Sequence, residues 1–322
     1  MNHLIDIARH LPLSAPLQTI SISPVTLPVP GRSQPLEMRI TAPINGTDLP
    51  VIILSHGHGP SLYLPSKDGY GPLVNFYAEQ GFVVIQPTHA NSKIAGLGAN
   101  APGAPLFWRE RVEELQLIAQ QLAAIEASVP AIAGRLDRSK LAAVGHSLGG
   151  HSVSMLLGAR LTDPKDPNAV DVNAYEARVK VGVLLGAPGN GGADLSAYAA
   201  EHFSACNLDF SYLTTPTLVV AGELDKSEHL TVRGPSWHTD PYHCSPGADA
   251  LLMLAGGGHG MGGISGYDAK EADDESPDRL ATTQRMTSAY LRSALYKEDR
   301  AWVDACNALK AEAGSLGWVE SK

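Results

Sequence analysis

The chain lacks a run of basic residues, has little cysteine, and contains no apolar stretch near the roughly 20 residues needed to span a bilayer. Each lack excludes a class of protein. Lys and Arg total 24 against 33 Asp and Glu, a formal net charge of -9. That balance opposes nonspecific attachment to a phosphate backbone, so neither nucleic acid nor membrane is expected as a partner. The opening residues Met1 to His10 hold no basic segment followed by an apolar core, and read as a poor export signal. Three cysteines, Cys206, Cys244 and Cys306, are too few for a disulfide scaffold. Cys206 and Cys244 would pair if loops brought them together, but three free thiols in a reducing cytoplasm is the better expectation.

What is present is an ordinary globular composition, 44% hydrophobic over 322 residues, enough for one large core. Short apolar runs alternate with helix-like stretches. Leu36 to Thr41, Val51 to Ser55, Phe82 to Ile85, Leu141 to Val144, Val181 to Leu185, Thr217 to Val220 and Leu251 to Leu254 read as strands. Between them, Gly71 to Gln80, the stretch from Trp108 and Leu148 to Leu157 read as helices, as do Pro277 to Tyr296 and Glu298 to Ala311 in the tail. This order predicts an α/β fold, a mostly parallel sheet with helices on both faces. Residues 1–35, with six prolines, are expected to wrap the surface as an irregular segment. Residues 36–322 are expected to form a single domain, with a loop over 96–105 and short insertions near 161–174 and 226–247.

The chemistry is concentrated at strand ends. Gly145-His146-Ser147-Leu148-Gly149 is a G-x-S-x-G motif that closes an apolar run and opens a helix. At such a turn a serine hydroxyl is pushed out of the sheet, and amides at the start of the next helix face any developing negative charge. The competing reading is a serine that merely caps a helix. A hydroxyl becomes a nucleophile only when a base takes its proton. His259, in the loop Gly256 to Gly263 after the strand at 251–254, is the candidate base. Asp225, just after the strand at 217–220, is the candidate acid; Glu223 is its main competitor and Asp240 a weaker one. The order serine, acid, histidine is that of one hydrolase class. Two amides are assigned to an oxyanion hole, those of Leu148 and of His58, with Gly59 the alternative to His58. His56 and His58 raise a zinc question, but no third ligand has matching spacing, and loop anchoring is the plainer role. Leu62, Tyr63, Trp237 and Tyr242 are expected to line a pocket for an apolar or ring-bearing substrate, and Arg233 is a candidate partner for a substrate carboxylate. Glu271, Asp273, Asp274 and Glu275 lack the spacing of a calcium loop and read as a solvated face. No metal or organic cofactor is implied.

These motifs resemble those of the α/β-hydrolase superfamily, and most of all its dienelactone-hydrolase-related branch, with chlorophyllase-like, platelet-activating-factor-acetylhydrolase-like and cutinase-like members. The resemblance runs from Leu36 to Tyr296 and rests on Ser55-His56-Gly57-His58-Gly59, Gly145 to Gly150, Gly222-Glu223-Leu224-Asp225 and Gly258-His259. It implies the α/β-hydrolase fold without a large separate cap domain. It also implies Ser147 as nucleophile, Asp225 as acid, His259 as base, and the amides of Leu148 and His58 as oxyanion donors. Dienelactone hydrolases use cysteine; serine here implies hydrolysis of a small-molecule carboxylic ester. A monomer or homodimer is expected. An amidase, a lactonase, a cofactor-free perhydrolase, a polyester hydrolase and a non-catalytic binding module are the alternatives.

Overall fold

Successive residues of the apolar strands are buried on opposite faces of one sheet. In the strand Leu49–Ser55, Val51 and Ile53 join one core while Ile52 and Leu54 join the other. In the strand Thr217–Gly222, Val219 and Ala221 face the first core and Leu218 and Val220 the second. A strand covered on both sides has no polar alternation, which explains the continuous apolar runs.

The computed structural model describes residues 4–97, 101–266, 269 and 274–322. Residues 98–100 of the expected 96–105 loop, and Glu271 and Asp273 of the acidic run, lie outside them. The strands are β1 (Thr19–Leu27), β2 (Leu36–Pro43), β3 (Leu49–Ser55), β4 (Val83–Pro87), β5 (Leu136–His146), β6 (Arg160–Leu161), β7 (Val172–Asn173), β8 (Val179–Leu185), β9 (Leu208–Asp209), β10 (Thr217–Gly222), β11 (Ala248–Leu254) and β12 (Gly317–Ser321). The helices are α1 (Gly71–Glu79), α2 (Trp108–Gln120), α3 (Leu122–Ser128), α4 (Leu148–Leu156), α5 (Ala197–His202), α6 (Asp240–Cys244), α7 (Pro277–Leu295) and α8 (Ala301–Glu312). Nine strands form the main sheet in the order β1-β2-β4-β3-β5-β8-β10-β11-β12. From β4 to β11 the neighbours are parallel; β1, β2 and β12 are antiparallel to theirs. With helices on both faces and no large separate cap domain, this is the α/β-hydrolase fold.

The N-terminal 35 residues are not wholly irregular, as their prolines led us to expect. Thr19–Leu27 pairs antiparallel with β2, and Pro24 falls within the register shift between Ile22 and Val25. An edge strand tolerates proline at such a bulge because no ladder hydrogen bond is lost there. The strand β12 was also hidden, since its five residues are short and mostly exposed at the opposite edge. The expected insertions are compact: β6 lies between β7 and β9 in a small three-stranded sheet, and 226–247 folds into a short helical turn at Pro235–Thr239 and α6. Cys206, Cys244 and Cys306 are all free. Among the described residues, no helix is long and apolar enough to cross a membrane.

Candidate active site

β5 delivers Ser147 to the C-terminal edge of the sheet, and the turn into α4 is sharp. Ser147 adopts φ 55°, ψ -123°, left-handed space that a non-glycine residue enters only where its surroundings impose it. Its N–H donates to Leu185 O on β8 (2.9 Å). The flanking glycines are a steric requirement: a Cβ on Gly145 would lie 2.2 Å from Gly149 O, and one on Gly149 would lie 2.0 Å from Ser55 O. Helix α4 thus packs directly against the end of β3, next to the loop that begins at His56.

His259 and Asp225 come from the loops after β11 and β10. His259 Nδ1 donates to Asp225 Oδ2 at 2.7 Å. Burial alone would raise the Asp225 carboxyl pKa, but His259 and His238 outweigh it and hold the carboxyl below the usual carboxylate range. The competitors are engaged elsewhere. Glu223 accepts the Gly256 N–H (2.9 Å) and Asp240 pairs with Arg233 (2.8 Å). The Ser147 turn and His259 share a neighbour. A Cβ on Gly186, the residue after the Leu185 carbonyl that holds Ser147, would lie 3.3 Å from His259 Cε1.

A second serine and a second histidine reach Asp225. Ser227 Oγ donates to Asp225 Oδ1 (3.0 Å), and His238 Nε2 lies 3.0 Å from Ser227 Oγ and 3.2 Å from Asp225 Oδ1. Ser227, His238 and Asp225 therefore form a hydrogen-bonded serine–histidine–aspartate set. A serine, an imidazole and a carboxylate joined in this way are the working parts of serine-hydrolase chemistry. A relay, however, needs the serine on one ring nitrogen and the acid on the other. In His238 both oxygens crowd Nε2, while Nδ1 donates to Ala187 O (2.8 Å). A third set, Ser55–His89–Glu114, does use both nitrogens, at 2.9 and 2.7 Å, but all three side chains are sealed in the core. Asp225, His238 and His259 also bring ligand-type atoms within 4.8 Å of one another, but the spacings of 2.7 and 3.2 Å are those of hydrogen bonds between the groups themselves.

The loop His56 to Gly59 is held from several sides. Burial, then the neighbouring His259 charge, lowers the His146 pKa to about 3, so its ring is neutral. A carbonyl only accepts, so His146 Nε2 donates to His259 O (2.9 Å) and Nδ1 accepts from the Tyr70 hydroxyl (2.8 Å). That hydroxyl in turn accepts the Gly57 N–H (3.0 Å). A directed chain therefore links the loop after β3 to the His259 loop through the residue before Ser147. On the other side, the buried Arg111 of α2 donates to His56 O, and to Ser55 and Ser152 Oγ at 3.1 and 3.0 Å. His56 donates from Nδ1 to Gly57 O and accepts the His89 N–H at Nε2. Both its nitrogens are used in anchoring the loop, which leaves none for a zinc ion. A Cβ on Gly57 would lie 3.3 Å from Ser147 Cβ, so this backbone runs beside the Ser147 turn. His58 is exposed, with its ring edge-on to Phe203 at 6.3 Å and Nδ1 3.1 Å from Asn91 Nδ2; Leu148 is buried at the start of α4.

The expected pocket walls divide. Leu62 and Tyr63 follow the His56 to Gly59 loop and are 60% and 39% exposed. Trp237 is fully buried, and its Nε1 donates to Asn190 O (2.8 Å), so its ring belongs to the packing around His238. Tyr242 is buried, with Lys322 Nζ over its ring. Arg233 is consumed by Asp194 and Asp240 and does not wait for a substrate carboxylate. Asp274, expected on a solvated face, turns inward: Oδ2 accepts the N–H groups of Gly258 (2.7 Å) and Gly262 (3.1 Å), and Oδ1 pairs with Arg279. It thereby braces the His259 loop. The aromatic residues and the acidic run were legible as residue types, but no sequence spacing reveals which side of a loop folds inward.

No family model and no curated protein matches this chain. Among solved structures it is similar to an esterase from Pyrobaculum calidifontis in a monoclinic crystal form, with TM-score 0.52 and 17% identity, covering 91% of this chain and 88% of that one. At this identity the likeness is one of fold.

Proposed function

We propose that this chain is a serine carboxylic-ester hydrolase of the dienelactone-hydrolase-related kind, with Ser147 as nucleophile, His259 as base and Asp225 as acid. The observation that carries the reading is the junction of a strained serine turn with a neighbouring imidazole whose Nδ1 is fixed on a carboxylate at 2.7 Å. Nδ1 on Asp225 directs Nε2 away from the acid, as a base for Ser147 requires. Ser147 Oγ attacks the ester carbonyl as His259 Nε2 takes its proton. The oxyanion lies on the amides of Leu148 and His58. His259 returns the proton to the leaving alcohol, and water then attacks the acyl-enzyme by the same route, releasing the acid and restoring Ser147. Exposed Leu62 and Tyr63, with Phe203 across from His58, support small or medium apolar or aromatic esters. The three free thiols support a reducing, cytoplasmic setting.

Ser227 is the rival nucleophile, favoured by its contact with His238. The crowding of both oxygens onto one nitrogen of that ring argues against it. A fluorophosphonate and p-nitrophenyl esters of rising acyl length separate the two. Ser147→Ala is expected to lose both labelling and turnover, the latter by on the order of 10⁴-fold or more. Ser227→Ala is expected to keep labelling at Ser147 and to retain turnover within about tenfold. Labelling of Ser227 would overturn the assignment, and a matched ester and amide pair checks the bond cleaved.

A further inference from the structure

We propose that His238 is a positioning residue of this site, holding the outer oxygen of Asp225 so that the inner oxygen stays aimed at His259. The inference rests on the reading of Ser147, His259 and Asp225 as the working triad. A carboxylate bonded through one oxygen still rotates about its Cβ–Cγ bond, and an imidazole partner follows that rotation. Here Oδ2 takes His259, while Oδ1 accepts from Ser227 Oγ at 3.0 Å and from His238 Nε2 at 3.2 Å; since Nδ1 of the same ring donates to Ala187 O, His238 holds the carboxylate as an imidazolium, donating from both nitrogens. His238 is itself immobile: 1% of its side chain is exposed, Nδ1 donates to Ala187 O at 2.8 Å, and Trp237 packs against the ring at 5.1 Å.

The backbone explains why this matters. Residues 185–187, at the end of β8, touch each participant. Leu185 O holds the Ser147 amide, Gly186 passes beside His259 Cε1 and Asp225 Oδ2, and Ala187 O anchors His238. His238 thus gauges the acid against the same three residues that set the height of the nucleophile. The Coulomb influence of His238 on Asp225 has the same direction as that of His259, so the second ring also favours the ionised acid.

Two polar variants separate positioning from packing. His238→Gln places an amide nitrogen where Nε2 stood, facing Asp225; His238→Asn keeps a donor for Ala187 O and cannot reach the acid. Steady-state hydrolysis of p-nitrophenyl butyrate, phosphonate titration of active sites and Tm are measured for both. The expectation is that His238→Asn lowers kcat about 10- to 100-fold with KM within about twofold, and that His238→Gln recovers most of the loss. Ser227→Ala, which removes only a hydroxyl, supplies a second measurement should the histidine variants not fold; kcat is expected to fall about threefold at unchanged Tm. Equal losses in Gln and Asn variants, or kcat within about twofold of the parent in His238→Asn at unchanged Tm, would overturn the proposal, as would an unchanged kcat in Ser227→Ala. An inactive Ser147→Ala with a normal His238→Asn refutes the role of His238 alone; an active Ser147→Ala refutes the triad itself.

Discussion

One hydroxyl joins two loops at this site. Tyr70 Oη accepts the Gly57 N–H and donates to His146 Nδ1, and His146 passes the connection to the carbonyl of His259. Tyr70→Phe keeps the ring in its cavity and leaves a buried N–H and a buried imine nitrogen unmet. A loss of about 1–3 kcal/mol is expected, shared between stability and the transition state, so kcat/KM should fall about tenfold or more with a lower Tm. Steady-state kinetics beside thermal unfolding checks it; a variant equal to the parent in both would show that the hydroxyl links nothing. At this scale the strand-end residues Ser147, Asp225 and His259 were legible because each follows an apolar run. Tyr70, Arg111 and His238 were not, because their partners lie 76, 41 and 51 positions away in unrelated segments; Ser227 lies beside Asp225 in the chain but belongs to no motif that marks it.

At the scale of elements, the His259 loop is glycine-rich and would be mobile without an external brace. Asp274 supplies it by accepting two of the loop's amides while paired with Arg279 at the start of α7. Asp274→Ala removes acceptors from both amides and strands the guanidinium. An expected cost of about 1–3 kcal/mol should appear as a lower Tm, and, with His259 as the proposed base, kcat should fall because its ring is less well placed. Hydrogen exchange at Gly258 and Gly262 is the direct check: protection should drop there and remain in β11. Asp274 alone departs from the expected solvated face, because composition says only that carboxylates prefer water, whereas Asp274 finds two N–H donors and an arginine within the fold; Glu275 beside it is exposed. The prolines of the N-terminal segment misled in a related way, since Pro24 marks a bulge inside β1 and not its absence.

For the whole molecule, the buried ionic network around Glu114 ties the N-terminal arm to the sheet. Arg32, between β1 and β2, pairs with Glu114 of α2, and His89 after β4 completes the contact. Burial raises the Glu114 pKa to about 7, with Arg32 and Arg111 pulling the other way. A carboxyl whose folded pKa is raised contributes stability that is fully present below its unfolded pKa of about 4.3 and is lost as pH rises through about 7. Glu114→Gln is therefore expected to flatten the decline in Tm between about pH 5 and pH 8 relative to the parent. Parallel slopes for the two proteins across that window would refute the assignment. Local sequence determined the alternation of strands and helices, the sharp serine turn and the reach of the core, because apolar periodicity and glycine sterics act over a few neighbouring residues. Only the tertiary structure decided that Asp225 meets His259, that His238 and Asp274 turn inward, and that Trp237 and Tyr242 are buried. Those choices depend on which distant donors and acceptors meet once the sheet has closed, and burial makes each unmet polar group too costly to leave alone.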